Sequence, residues 1–165
     1  MTDVVSPVPA PLAGATSPGI SRAIYGMPMF ATLNARDLDR TVSWFVDGLG
    51  FIVLFTMPPP PSPTMLVHLR RWQFQDILVR PASGPVTPAR GLSLSFAAVY
   101  DEVGALADRA RGHGGGSVDG PIDTPWNTRD VTTTDPDGHL VVFTAGRPPS
   151  LTDPEFSARI AGDAS

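Results

Sequence analysis

The chain has 165 residues, a formal net charge of −4, 42% hydrophobic residues, 19 prolines, 16 glycines and no cysteine. A chain of that size suits one folded domain, and the lack of cysteine excludes a disulfide framework, a thiolate nucleophile and a cysteine zinc site, which fits a reducing cytosol. All twelve basic residues are arginine with no run beyond Arg70-Arg71, so the footprint of a nucleic-acid binder is missing, and no apolar stretch nears the ~20 residues that cross a bilayer.

Residues 1–26 are interrupted by Pro7, Pro9, Pro11, Gly14, Pro18 and Gly19 and offer neither a basic n-region nor an apolar h-region. They read as a flexible Pro/Gly/Ala-rich leader and not as an export signal. Met29, Ala31 and Leu33 then alternate with Phe30, Thr32 and Asn34, the period of a strand. Asp37 is a good helix cap, Leu38, Val42, Phe45, Val46 and Leu49 form one stripe, and Gly48 and Gly50 end the helix. Trp44 points away from that stripe by about 100°, towards subunit or module packing more than towards a ligand. Residues 51–57 resume as a strand, the run Pro58-Pro59-Pro60-Pro61 makes a stiff loop, and strands follow over about 65–70 and 74–80.

Prolines 81, 85 and 88 mark a linker, after which the order repeats. A strand over 92–99 leads to a helix over 101–111 that buries Val103, Leu106, Ala107 and Ala110. A glycine stop, a short strand, a strand over 128–134, the tight turn Asp135-Pro136-Asp137-Gly138 and a strand over 140–144 complete the second unit. Residues 147–165 form a tail with one short helix, capped by Thr152 or Asp153, with Pro154 in its first turn and Phe156 and Ile160 on one face. The pattern is α+β: two βαβββ modules, about 27–81 and about 90–146, within a domain over 27–146, with the helices on one side of the sheets.

The residue types that carry chemistry are sparse. His113 and His139 follow turn or glycine-rich segments and read as solvent-exposed, whereas His68, between Val67 and Leu69, enters a sheet face as a satisfied or half-exposed strand histidine. The glycine-rich stretch 112–117 follows a helix instead of preceding one, and the chain has no lysine, so it reads as a helix cap and loop, not a phosphate cradle. There is no G-x-S-x-G elbow. Asp76 with Glu102 or Asp130 is a conceivable acid/base pair, beside the ordinary reading of these residues as caps or solvated groups.

Two segments carry a family resemblance. Asp37-Leu38-Asp39-Arg40-Thr41-Val42-Ser43-Trp44-Phe45 leading to Leu49-Gly50-Phe51, and Pro125-Trp126-Asn127-Thr128-Arg129-Asp130-Val131 leading to Asp135-Pro136-Asp137-Gly138-His139, resemble the vicinal oxygen chelate superfamily of glyoxalases, bleomycin-resistance proteins and extradiol dioxygenases. The bleomycin-resistance-like branch is the nearest. The resemblance spans about residues 27–146 and implies a cup-shaped mixed sheet with helices on its outer face, in a homodimer whose modules pair across chains. The metal-ligand positions it implies fall on Phe30, Ser95 (or Leu94 if the register shifts by one), Ile77 and Val142. A phenyl ring and two alkyl chains offer no lone pair, and one hydroxyl does not hold a divalent ion against water. No metal, cofactor or catalytic residue is therefore expected.

Alternation places Phe30, Thr32, Gln75, Ile77, Ser93, Ser95, Leu140 and Val142 on the concave face, an apolar lining with a few hydrogen-bonding groups. Trp72 and Trp126 are candidate aromatic walls, with Arg129 beside Trp126, whose ring either stacks on a planar ligand or plugs a core. The resemblance thus implies a metal-free, cytoplasmic small-molecule binding protein that sequesters a planar or amphipathic, antibiotic-like ligand, as in antibiotic resistance. A metal-dependent lyase or dioxygenase with atypical ligands is the alternative, and an interaction protein with a closed cup is a third.

Overall fold

The computed structural model describes residues 14–27, 29–59, 61–87 and 91–162, so leader residues 1–13, Pro60 and Pro88 of the sequence reading lie outside the described residues. Strand β1 (Ala31–Ala35) buries Leu33 and Ala35 and exposes Thr32 and Asn34, as its alternation requires. Asp37 leaves it with extended backbone and accepts the Arg40 N–H at 3.0 Å, which caps α1 (Leu38–Ser43). The helix widens into a π-helical turn (Trp44–Gly48), where the Leu49 N–H reaches back five residues to the Trp44 carbonyl at 3.1 Å. Gly50 then turns the chain at φ +77°, a backbone conformation that favours glycine, with the Arg109 guanidinium lying where a Cβ would come within 2.6 Å of it.

Strands β2 (Ile52–Met57), β3 (Leu66–Arg70) and β4 (Asp76–Pro81) complete a four-stranded sheet of order β1-β4-β3-β2, in which only β1 and β4 run parallel. The same sequence of elements recurs as β5 (Leu94–Ala97), α2 (Val103–His113), β6 (Ser117–Asp123), β7 (Thr128–Thr134) and β8 (Leu140–Gly146), with sheet order β5-β8-β7-β6. These are the two expected βαβββ modules. A 3-10 turn (Pro149–Leu151) and α3 (Pro154–Gly162) follow, and Asp153 caps α3 by accepting the Glu155 N–H at 2.9 Å. The Ile160 side chain lies outside what is described. Strand β4 starts two residues later than alternation suggests, because Phe74 adopts φ 63° and belongs to the β3–β4 turn.

The helix-facing sides of both sheets and the helices share one core. It joins Leu33, Val67, Leu69, Ile77 and Val79 to Phe96, Val131, Val141 and Phe143 through Trp44, Phe45, Val103 and Leu106. Trp44 is wholly buried at the junction of the modules, against Gly116 and with its ring centroid 6.1 Å from that of His113. Polar clamps fix the junction from both sides. Asp137, in the β7–β8 turn, accepts the Arg36 N–H at 3.1 Å, the Arg36 Nε–H at 2.8 Å and the Thr41 hydroxyl at 2.9 Å. Arg71 and Gln75, from the β3–β4 turn, both donate to the Ala97 carbonyl at the end of β5. No helix among the described residues is long and apolar enough to cross a membrane.

Candidate ligand cleft and its surroundings

The end strands β1 and β5 bring the two sheets edge to edge, and a cleft of about 380 Å³ opens where the start of β1 and the β3–β4 turn meet β5. Met29, Phe30, Phe74, Gln75, Ser93 and Ser95 are among its lining residues. Phe30 and Phe74 are 45% and 44% exposed, large apolar surface offered to the cleft and to solvent. Ser93 and Ser95 are exposed because β5 turns Leu94 and Phe96 inward and its odd-numbered residues outward. Gln75 is buried, held by the Ala97 carbonyl at 3.2 Å and by Arg71. Burial draws the Arg71 guanidinium down to about 10, with Arg109 adding to the effect and Glu102 opposing it. A second cleft of about 250 Å³ lies at the other end of the same seam, between Thr32, Asn34, Leu94, His139 and Leu140.

The structure therefore brings Phe30, Gln75, Ile77, Ser93 and Ser95 to one cleft and places the rest elsewhere. Thr32 lines the second cleft. Val142 pairs with Ser95 on the open face of the second sheet but lines neither cleft. Ile77 borders the main cleft but, contrary to expectation, sits on the helix side with no exposed surface; it pairs with Leu69 and Ala31, and Asp76 and Leu78 take the open face instead. Trp72 is buried beneath the Arg71 guanidinium at 4.2 Å and forms no cleft wall. Trp126 stands 56% exposed on the β6–β7 turn, outside both clefts. Arg129 is tied to Asp123 at 2.6 and 3.1 Å and lies 4.4 Å over the Tyr100 ring. Its hydrogen bond holds the Asp123 carboxyl below its ordinary range.

On the open face of the first sheet, Arg70 and Asp76 are direct cross-strand partners. Asp76 Oδ1 accepts from Arg70 Nε at 2.7 Å and lies 2.7 Å from His68 Nε2, so His68 is a buried, satisfied strand histidine. Asp76 forms no acid/base pair with Glu102 or Asp130, in keeping with the ordinary reading of these residues. Glu102 accepts from the Ser17 N–H and Asp130 from the Thr144 hydroxyl. Residues 14–27 carry no regular structure but cross this face: the Tyr25 hydroxyl donates to Asp76 Oδ2 at 3.1 Å and accepts the Phe74 N–H at 2.7 Å. Burial, with the Asp76 carboxylate adding to it and the Phe74 N–H opposing it, holds that phenol above its ordinary 10.0.

His139 corrects the expectation of an exposed turn histidine. Its side chain is only 15% exposed, with Nδ1 2.8 Å from Asp135 Oδ2, and that hydrogen bond raises the imidazole above its ordinary 6.5 against the effect of burial. His113 is exposed, 2.9 Å from the Ser43 hydroxyl.

The positions at which the resemblance implies metal ligands hold a phenyl ring, a buried isoleucine, a valine and one serine hydroxyl, and this set does not fit a divalent cation. Among the described residues no three His, Asp or Glu side chains cluster as a metal site.

Residues 27–143 match the Glyoxalase/Bleomycin resistance protein/Dioxygenase superfamily. The chain belongs to that superfamily. Solved structures share the superfamily fold. TioX from Micromonospora sp. ML1 is 24% identical, over 73% of this chain and 99% of its own, with a TM-score of 0.58. TnmS3, an antibiotic binding protein from Streptomyces sp. CB03234, is 23% identical over 75% and 98%, with a TM-score of 0.57. The fosfomycin resistance protein FosX from Listeria monocytogenes is 18% identical over 75% and 93%, with a TM-score of 0.57. A comparison with curated proteins finds no match.

Sequence reasoning missed Phe74, Tyr25 and the Arg70–Asp76 pair. The pair was readable, since alternation along adjacent antiparallel strands puts His68, Arg70 and Asp76 on one face. A phenylalanine at positive φ and a leader tyrosine crossing a sheet carry no local signal.

Proposed function

We propose that this superfamily member is a small-molecule binding protein that sequesters a planar or amphipathic, antibiotic-like ligand without a metal ion and without turning it over. The observation that carries the reading is the seam cleft, where exposed Phe30 and Phe74 rings stand opposite Ser93 and Ser95. Its size falls in the ~300–1,000 Å³ range of ligand sites, and its make-up, aromatic walls with a few hydrogen-bonding groups, suits stacking and apolar burial with orientation set by hydroxyls. A metal-dependent lyase or dioxygenase would need donors where this chain has Phe30, Ile77 and Val142. The likeness to an antibiotic binding protein supports the ligand class. The reading includes a cytoplasmic location and a homodimer, the latter because the open face of the second sheet keeps half-exposed side chains such as Val142 and Thr132 that a second copy can cover.

A thermal-shift panel of planar aromatic compounds, cationic and neutral, tests it. Hits should be unaffected by EDTA or added divalent metal and should vanish in Phe30→Ala. Stabilisation that requires a metal ion would replace this reading with the enzymatic one, and native mass spectrometry of the purified protein reports subunit count and retained ligand together.

A further inference from the structure

Beside the seam cleft, Arg70 and Asp76 are 1% and 3% exposed, yet their outward-facing groups are met by an irregular segment of the chain and not by a strand or helix. Arg70 Nη1 donates to the carbonyls of Ser21 and Ala23 at 3.1 and 2.7 Å. Its guanidinium carbon lies 4.1 Å from the centre of the Tyr25 ring, and the Phe74 ring meets that ring edge-on at 5.1 Å. The Tyr25 hydroxyl does two things at once, accepting from the Phe74 N–H and donating to Asp76 Oδ2. Because His68 and Arg70 Nε both engage Oδ1, Oδ2 is the oxygen left to that hydroxyl.

The face thus specifies its occupant: a flat ring over a guanidinium, a hydroxyl that both donates and accepts, and carbonyl acceptors to one side. The segment that meets the specification is held through side chains and not by a backbone ladder. Among the described residues no backbone–backbone hydrogen bond ties residues 14–27 to the sheet, and Ile20 and Ile24 are 40% and 77% exposed. Phe74 and Asp76 belong both to this face and to the cleft lining, so a ligand in the cleft that extends past Phe74 reaches the place where Tyr25 sits. Phe74 is also held at φ 63°, a conformation that non-glycine residues keep only where surrounding contacts enforce it, and its N–H is directed at the hydroxyl.

We propose that the surface around Arg70, Asp76 and Phe74 is a binding subsite for a planar aryl ligand bearing a phenolic hydroxyl and a carbonyl acceptor, and that residues 21–25 fill it as an internal stand-in which such a ligand displaces. This rests on the small-molecule binding reading and narrows its ligand class. The stand-in lowers the apparent affinity by the fraction of molecules in which it is seated, so weakening it tightens binding.

The test uses the full chain and two fluorescent probes, 6-hydroxy-2-naphthamide and 6-methoxy-2-naphthamide, which differ in that the 6-oxygen of the second accepts but does not donate a hydrogen bond. The expected results are about a tenfold preference for the hydroxy probe, from its hydrogen bond to a charged group, and tighter hydroxy-probe binding, again by about tenfold, in Tyr25→Ala. Tyr25→Phe, which keeps the stacked ring, should tighten binding less. Arg70→Met, provided its unfolding curve stays cooperative, should lose affinity for both probes. Saturating hydroxy probe should also speed tryptic cleavage after Arg22, which is exposed in the stand-in. Equal affinity of the parent and Tyr25→Ala, equal binding of both probes to Tyr25→Ala, or no binding of either probe would each overturn the proposal. If other planar compounds still bound in a Phe30-dependent way, the broader reading would survive that failure.

Discussion

The Asp137 carboxylate accepts from Arg36 and Thr41 of the other module, and His139, two residues later, leans on Asp135, so one turn holds two titratable groups displaced in opposite directions. Burial pushes Asp137 up, but the Arg36 guanidinium, the Arg36 N–H and the Thr41 hydroxyl outweigh it and hold the carboxyl below its ordinary 3.8. Its contribution to stability is present above that value and is lost as pH falls through the lower folded value. The raised imidazole of His139 behaves oppositely: its contribution is complete below 6.5 and is lost as pH rises through the higher folded value. Urea midpoints should therefore fall between pH 5.5 and pH 8.5 in the parent and fall less in His139→Asn. Gly116 is a separate single-residue constraint, because a Cβ there would lie 2.3 Å from the Thr134 carbonyl oxygen and 2.7 Å from the Trp44 ring. Gly116→Ala should cost about 1–3 kcal/mol through overpacking, read as a lower urea midpoint with an unchanged slope.

At the scale of elements, the π-helical turn after α1 lets Trp44 and Phe45 be buried side by side, Phe45 against Phe51 at 5.4 Å and Trp44 against the second module. Trp44→Ala should cost about 3–5 kcal/mol by opening a cavity between the modules. Trp44→Phe should cost much less, because Trp44 Nε1 is buried with no hydrogen-bond partner among the described residues and its removal relieves that deficit. The off-stripe position of Trp44 was legible in helical periodicity, as were the Asp37 cap and the inward set of α2, since each depends on residues within one or two turns. The π-helical turn was not legible, because nothing in the local pattern of residues 44–48 marks the change to five-residue hydrogen bonding.

For the whole molecule, the open seam between β1 and β5 sets the expectation for ligand linkage. A panel ligand at a hundred times its Kd should stabilise the native state by about 2.7 kcal/mol. Phe30→Ala should abolish that gain yet change the stability of the unliganded protein by no more than about 0.5 kcal/mol, since the ring is already 45% exposed. Calorimetric unfolding with and without ligand measures both. Of the candidate site, Phe30, Ser93, Ser95 and Gln75 were readable from alternation near the starts of strands. Ile77 borders the cleft from the helix side because the β3–β4 turn takes up Phe74 at positive φ and shifts the β4 face by one residue, Trp72 is buried under Arg71, and the β6–β7 turn holds Trp126 away from the seam.

The amino-acid order by itself determined the two βαβββ modules, their superfamily resemblance and the hydrocarbon at three of the four positions where the resemblance implies metal ligands, because period, caps and side-chain chemistry are local properties. Only the tertiary structure decided that β1 and β5 form the seam, that Asp137 clamps one module to the other, and that Tyr25 lies over Arg70. Those contacts join residues 45 to 101 positions apart, and no local periodicity encodes which distant carboxylate or ring a side chain will meet.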